Sequence, residues 1–182
     1  QPDAAMWAVC RLADCFVKLV PKSTLEESLR GFYATLETAL AKSVQRRLGI
    51  AFDSADEERD AMLARQFFTA AKASDQGFDQ IFHDLFGGKA RSAGYDDDVW
   101  VPLLDILSGA HLVWPNALQH PHFNETEAVS LTIDEVEALW APIAAADDWQ
   151  PLVEKITAIR TMRAALDGAA ITAIPQINGG AL

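Results

Sequence analysis

Residues 1–20 read QPDAAMWAVCRLADCFVKLV, and the spacing of their apolar side chains sets the period for the whole chain. Met6, Val9, Cys10, Ala13, Phe16, Val17 and Val20 recur at i, i+3, i+4 and i+7, the stripe of an amphipathic helix, and Pro21 ends it. Asp3, Arg11, Asp14 and Lys18 ride in the same helical register, without the basic start and small-residue cleavage site of a signal peptide. The stretch opens with no initiating Met and no polar run-up.

The helical period continues nearly everywhere. Ser23 with Glu26, and Thr24 with Glu27, have capping-box spacing ahead of Leu25, Leu29, Phe32, Leu36, Leu40, Val44 and Leu48, which predicts one long second helix of about six turns closed by Gly49. Ser54 and Glu57 repeat the box before a third helix with Met62, Leu63, Phe67 and Ala70 inward. Phe78, Ile81, Phe82 and Leu85 suggest a short fourth helix closed by Gly87 and Gly88. An exposed loop, KARSAGYDDD, leads to another short helix, VWVPLLDILSGA, where Pro102 falls in the tolerant first turn. Residues 109–131 are the longest irregular stretch. Thr132 and Glu135 cap IDEVEALWAPIAA, Asp147 or Asp148 caps WQPLVEKITAIRTMRAAL, and the tail ITAIPQINGGAL is expected to fray. The expected fold is a single all-α domain over residues 1–182, an irregular array of about seven helices with no alternating strand.

Composition narrows the function. Fifteen Lys and Arg against 26 Asp and Glu give a net charge of −11, which repels a phosphate backbone, so nucleic acid is not an expected partner. No uncharged apolar run is long enough to cross a bilayer, so no membrane is expected either. Cys10 and Cys15 sit about 140° apart around a helix and should not pair; they fit reduced core thiols in a cytoplasmic protein.

No local constellation earns a catalytic, cofactor-binding or metal-binding assignment. His120 and His122, with Asn124, Glu125 and Glu127 following, could in principle hold zinc, but the spacing matches no zinc pattern, and a surface loop whose imidazoles cap nearby backbone is the plainer reading. Asp96, Asp97 and Asp98 lack the Gly and Glu of an EF-hand and read as a helix cap. FGGKARS has the glycines and cations of a phosphate cradle at the wrong end of a helix dipole, so it reads as a C-cap. No GxSxG elbow is present, Asn124-Glu125-Thr126 is a glycosylation sequon idle in a reduced compartment, and Trp7, Trp100, Trp114, Trp140 and Trp149 read as core and interface packing.

The opening stretch nevertheless resembles a family. Gln1 and Pro2, then Trp7, then Arg11, Leu12 and Ala13 are similar to the "NQP, W, RLA" signature that follows the catalytic core of the selenoprotein O family. LRGFYATLETALAKSVQRRLGI resembles that family's long helix, ending here in Arg47, Leu48, Gly49 and Ile50, and GFDQIFHDL resembles its "DF, F, L" helix through Phe78, Asp79 and Phe82. The likeness covers residues 1 to about 108. Over the divergent helical tail, 109–182, the family's later "NP, LRN" segment and its C-terminal redox cysteine or selenocysteine motif are not found.

The resemblance implies a protein adenylyltransferase with a protein-kinase-like fold that transfers AMP from ATP to Ser, Thr or Tyr hydroxyls of protein substrates. Its metal-holding Asn and Asp, catalytic Asp and phosphate-binding Lys and Arg all lie before the "NQP" point. ATP and Mg would therefore belong to the parent protein, and none to this segment. On that reading Gln1-Pro2 is a junction, and these helices support the kinase-like core of the same protein. Such a lobe is expected to expose an apolar face along the first helix around Trp7 and Phe16. Two other readings stand beside it: a stand-alone helical interaction module without enzymatic activity, and a metal-dependent hydrolase built on His120 and His122.

Overall fold

A computed structural model describes residues 2–167; Gln1 and the tail ITAIPQINGGAL lie outside them. The described chain is all-α apart from two two-residue strands. Its elements run α1 (Pro2–Asp14), α2 (Lys22–Leu29), α3 (Phe32–Leu48), β1 (Ile50–Ala51), α4 (Glu57–Ala73), α5 (Phe78–Asp84), α6 (Val101–Leu107), β2 (His111–Leu112), α7 (Ile133–Ala146) and α8 (Gln150–Leu166). Short 3-10 turns at Ala117–Gln119 and Pro121–Asn124 interrupt the irregular stretch before α7.

Helical spacing builds the core. Ala41, Val44 and Leu48 of α3 lie at i, i+3 and i+7, and Leu63, Ala64, Phe67 and Ala70 of α4 repeat the pattern, so each helix turns one apolar stripe inward. The two stripes meet with Ile81 and Phe82 of α5, Trp100, and Leu103 and Leu107 of α6 in one buried cluster. Each of the large side chains removed from water there contributes roughly 1.5–3 kcal/mol. The stacked Phe67 and Phe82 rings, 4.3 Å apart, join α4 to α5.

Gly49 turns the chain out of α3. Its φ of 63° is left-handed, and a Cβ there would lie 2.3 Å from the Phe86 ring, so only glycine fits. The next residues pair antiparallel with β2, Ile50 against Leu112 and Ala51 against His111. Bonds from Val113 N to Gly49 O and from Gly87 N to Leu48 O fix the same corner at 2.9 and 2.8 Å.

A smaller cluster of Phe86, Ala117, Phe123 and Ala165 docks the end of α8, with Phe86 and Phe123 stacked at 4.3 Å. α7 lies along α8. The Lys155 ammonium reaches Glu135 across that pair at 2.7 Å, and the Thr132–Glu135 capping box forms as its spacing predicts.

Several local expectations are corrected. The long second helix is two, because Gly31 weakens helix propensity by about 1 kcal/mol and the chain tightens into an i to i−3 turn at Arg30. Pro21 takes the N-cap position of α2, which places Ser23 and Thr24 inside its first turn, and neither box forms there. Asp56, whose carboxylate accepts from Arg59 N, caps α4 in place of Ser54. Trp100 stands at the N-cap of α6 with no side-chain cap, so Asp96, Asp97 and Asp98 do not cap it through their carboxylates. Met62, expected inward, is exposed, as is Phe78 at the start of α5, and of the five tryptophans only Trp100 is in the core. Cys10 is half-buried and Cys15 exposed; both are free thiols, as expected, but neither is a core residue.

Candidate functional site

Two features stand out: a buried polar cluster beneath α5, and apolar helix faces that nothing among the described residues covers. The cluster starts from Asp84, which closes α5. Its carboxylate accepts from the Tyr95 hydroxyl at 3.0 Å and from the Gln80 amide at 2.9 Å. Burial, followed by the neighbouring Asp84 carboxylate, pushes the Tyr95 phenol far above its ordinary range.

Arg91 lies beside it, tied to the backbone oxygens of Phe123 and His83. Burial lowers this guanidinium from its ordinary value, against the opposing pull of Asp84 and Tyr95. His83 donates from Nε2 to Glu125 O at 3.0 Å, while Gln80 bridges Thr126 O at 2.9 Å and Ala128 N at 2.8 Å. These side chains thus satisfy the backbone of 123–128, which has no ladder of its own.

His120 and His122, expected on a surface loop, are buried with this cluster. The capping part of that expectation holds for His120, whose Nδ1 accepts from His122 N at 3.2 Å. His122 faces the His83 ring edge-on at 5.1 Å. Burial first, then the charges of His83, His120 and Arg91, pull the His122 imidazole down to about 4, so it is neutral near pH 7. His83 and His122 border a small, narrow cleft, lined also by the Arg47–Asp79 ion pair and by Met162 of α8. Among the described residues no group of three or more His, Cys, Asp or Glu side chains is placed to hold a metal ion.

Gly87 and Gly88, both at positive φ, follow α5 but do not cap it as FGGKARS suggested: the C-cap is Leu85, and Gly87 N donates to Leu48 O at the corner after α3. Arg91 from that motif points into the cluster and holds main-chain carbonyls.

The second feature is exposure. α1 has no buried residue; Met6, Val9, Cys10 and Ala13 are half-buried, whereas Trp7 is 65% and Phe16, just beyond the helix, 44% exposed. The Tyr33 hydroxyl ties α3 to Asp3 of α1 at 2.9 Å, and that carboxylate raises the phenol. On α7, Ile133, Val136 and Trp140 recur at i, i+3 and i+7 and are all exposed. The α7 stripe was readable in IDEVEALWAPIAA, but a stripe does not say whether its partner lies in the same chain. No helix among the described residues is long and apolar enough to cross a membrane.

Comparison with known families decides the relationship. The family model for protein adenylyltransferase SelO matches residues 1–160. The chain belongs to this family. The SelO match takes in α1 through most of α8 and so continues past residue 108, where the motif resemblance stops. No curated protein and no solved structure matches the chain.

Proposed function

We propose that this chain is a helical support segment of a SelO protein adenylyltransferase, and that it packs on a kinase-like catalytic core of the same protein. That core binds ATP with Mg and transfers AMP to Ser, Thr or Tyr hydroxyls of protein substrates; the chain itself contributes rigidity and contact surface, and works in the cytoplasm. The observation carrying this reading is α1. A 13-residue helix with Trp7 and Leu12 exposed, followed by exposed Phe16, Val17 and Leu19, presents more apolar surface than a solvated helix keeps without a partner. Family membership supports the nature of that partner.

The test is to extend the coding sequence upstream of Gln1 and compare amide hydrogen exchange in the longer protein and in this chain. A kinase-like core upstream, with α1 amides slowed in the longer protein, is the expected result. A reading frame that starts at Gln1, or α1 exchanging equally fast in both, would sink the proposal. A second reading, a helical interaction module, is favoured by the α7 stripe, which belongs to a different helix pair.

A further inference from the structure

α7 differs from the other exposed helices in its charge. Residues 131–149, LTIDEVEALWAPIAAADDW, hold five acidic residues and no Lys, Arg or His. Lys155 of α8 pairs with Glu135, and among the described residues Asp134, Glu137, Asp147 and Asp148 have no ion pair. The exposed stripe of Ile133 (70%), Val136 and Trp140 (60%) therefore lies in a field of uncompensated negative charge, with Trp149 also exposed beyond the helix end.

The C-terminal end of α7 sharpens that field. A helix C-terminus carries partial negative charge and favours cations, yet the last turn of α7 has no basic residue and its C-cap is Asp147. Asp147 is also the one non-glycine residue at positive φ among those described, at 53°. Local contacts account for part of this: its carboxylate accepts from Trp149 Nε1 at 2.8 Å, and Asp148 accepts from Gln150 N at 3.0 Å to start α8. Neither contact neutralises charge. Pro142 inside the helix adds a further acceptor, since it has no N–H to offer the Ala138 carbonyl.

We propose that the Ile133–Val136–Trp140 face of α7 is a docking site for a cationic amphipathic helix of a protein partner. The partner's apolar residues would lie along the stripe, and its Lys or Arg side chains would meet Glu137, Asp147 and the ring faces of Trp140 and Trp149. Charge complementarity selects this occupant. A second copy of the chain would set the same four carboxylates against themselves, and an anionic lipid surface would be repelled. The site is independent of the α1 contact, so failure of core docking at α1 leaves it standing.

A labelled synthetic helix with Leu on one face and Lys and Arg on the other is titrated against the full chain, beside a scrambled peptide of the same composition. Saturable binding is expected for the amphipathic peptide, weaker binding for the scrambled one, and weakening as salt rises. The double variant Ile133→Ser, Trp140→Ala should weaken binding about tenfold or more, as loss of a central aromatic anchor does; Trp7→Ala should leave it within about twofold. Both sites are exposed, and circular dichroism checks that the variants stay folded. Equal binding of the scrambled peptide, or equal weakening by Trp7→Ala, would overturn the proposal. So would a dimer of the chain that Trp140→Ala dissolves, or loss of peptide binding in a longer protein carrying the catalytic core.

Discussion

The Tyr95 hydroxyl donates to Asp84 Oδ2 at 3.0 Å inside a core that leaves both side chains almost no contact with water. Removing one partner from such a pair leaves a buried carboxylate short of a donor. Tyr95→Phe should therefore destabilise the fold by about 1.5–3 kcal/mol, since the acceptor is charged. Urea unfolding followed by circular dichroism checks this, and a loss below about 0.5 kcal/mol would mean that solvent reaches Asp84.

Gly49→Ala tests the corner after α3. The left-handed backbone disfavours any Cβ, and the Phe86 ring occupies the place where this one would go. The combined strain and overpacking should cost about 2–4 kcal/mol. Gly77→Ala is the control, because a Cβ there meets nothing within 4 Å, and it should change stability by less than about 1 kcal/mol.

Acid should weaken the His122 cluster in a defined window. The folded imidazole titrates at about 4, below its ordinary 6.5. As pH falls from about 6.5 to 4, the unfolded chain gains a proton that the folded chain refuses, so stability is full above that range and is lost through it. The contribution is on the order of 3 kcal/mol. His122→Phe should flatten the difference between unfolding midpoints measured at pH 7 and pH 5; an unchanged difference would place the acid sensitivity elsewhere.

The start of α7 offers a further test. Glu135 accepts from Lys155, Thr132 and Ser130, and these bonds hold its carboxyl at about 2. For a carboxylate whose folded value is depressed, the stabilisation is present above its ordinary 4.5 and fades as pH falls towards 2. Glu135→Ala should cost about 1 kcal/mol, a typical figure for a lost cap. The amides of Thr132 to Val136 should exchange faster in that variant while those of α4 are unchanged.

Much of the fold was legible in the sequence because its determinants are local. The 3.6-residue period placed α4, α5, α7 and α8; Gly49 announced the left-handed end of α3, and Thr132 with Glu135 announced the start of α7. Where local signals compete, tertiary context decided: Gly31 split a helix that apolar spacing alone runs through, and Pro21 displaced two well-spaced capping boxes. The α1 exposure around Trp7 and Phe16 was expected from the family resemblance alone. The polar cluster was not legible. Gln80, His83 and Arg91 are scattered singly, and their common target is the backbone of 123–128, whose position no side-chain pattern encodes; Tyr95 joins them only through Asp84.

That segment resembles a surface loop in its irregularity, yet its carbonyls and amides are pinned from beneath by Gln80, His83 and Arg91. Ordinary loops absorb insertions because their backbone answers to water. Here the spacing between Phe123 O, Glu125 O, Thr126 O and Ala128 N must match three anchored side chains at once. A one-residue change of length between 123 and 128 would put every one of those bonds out of step, so this stretch should tolerate substitution far better than insertion or deletion.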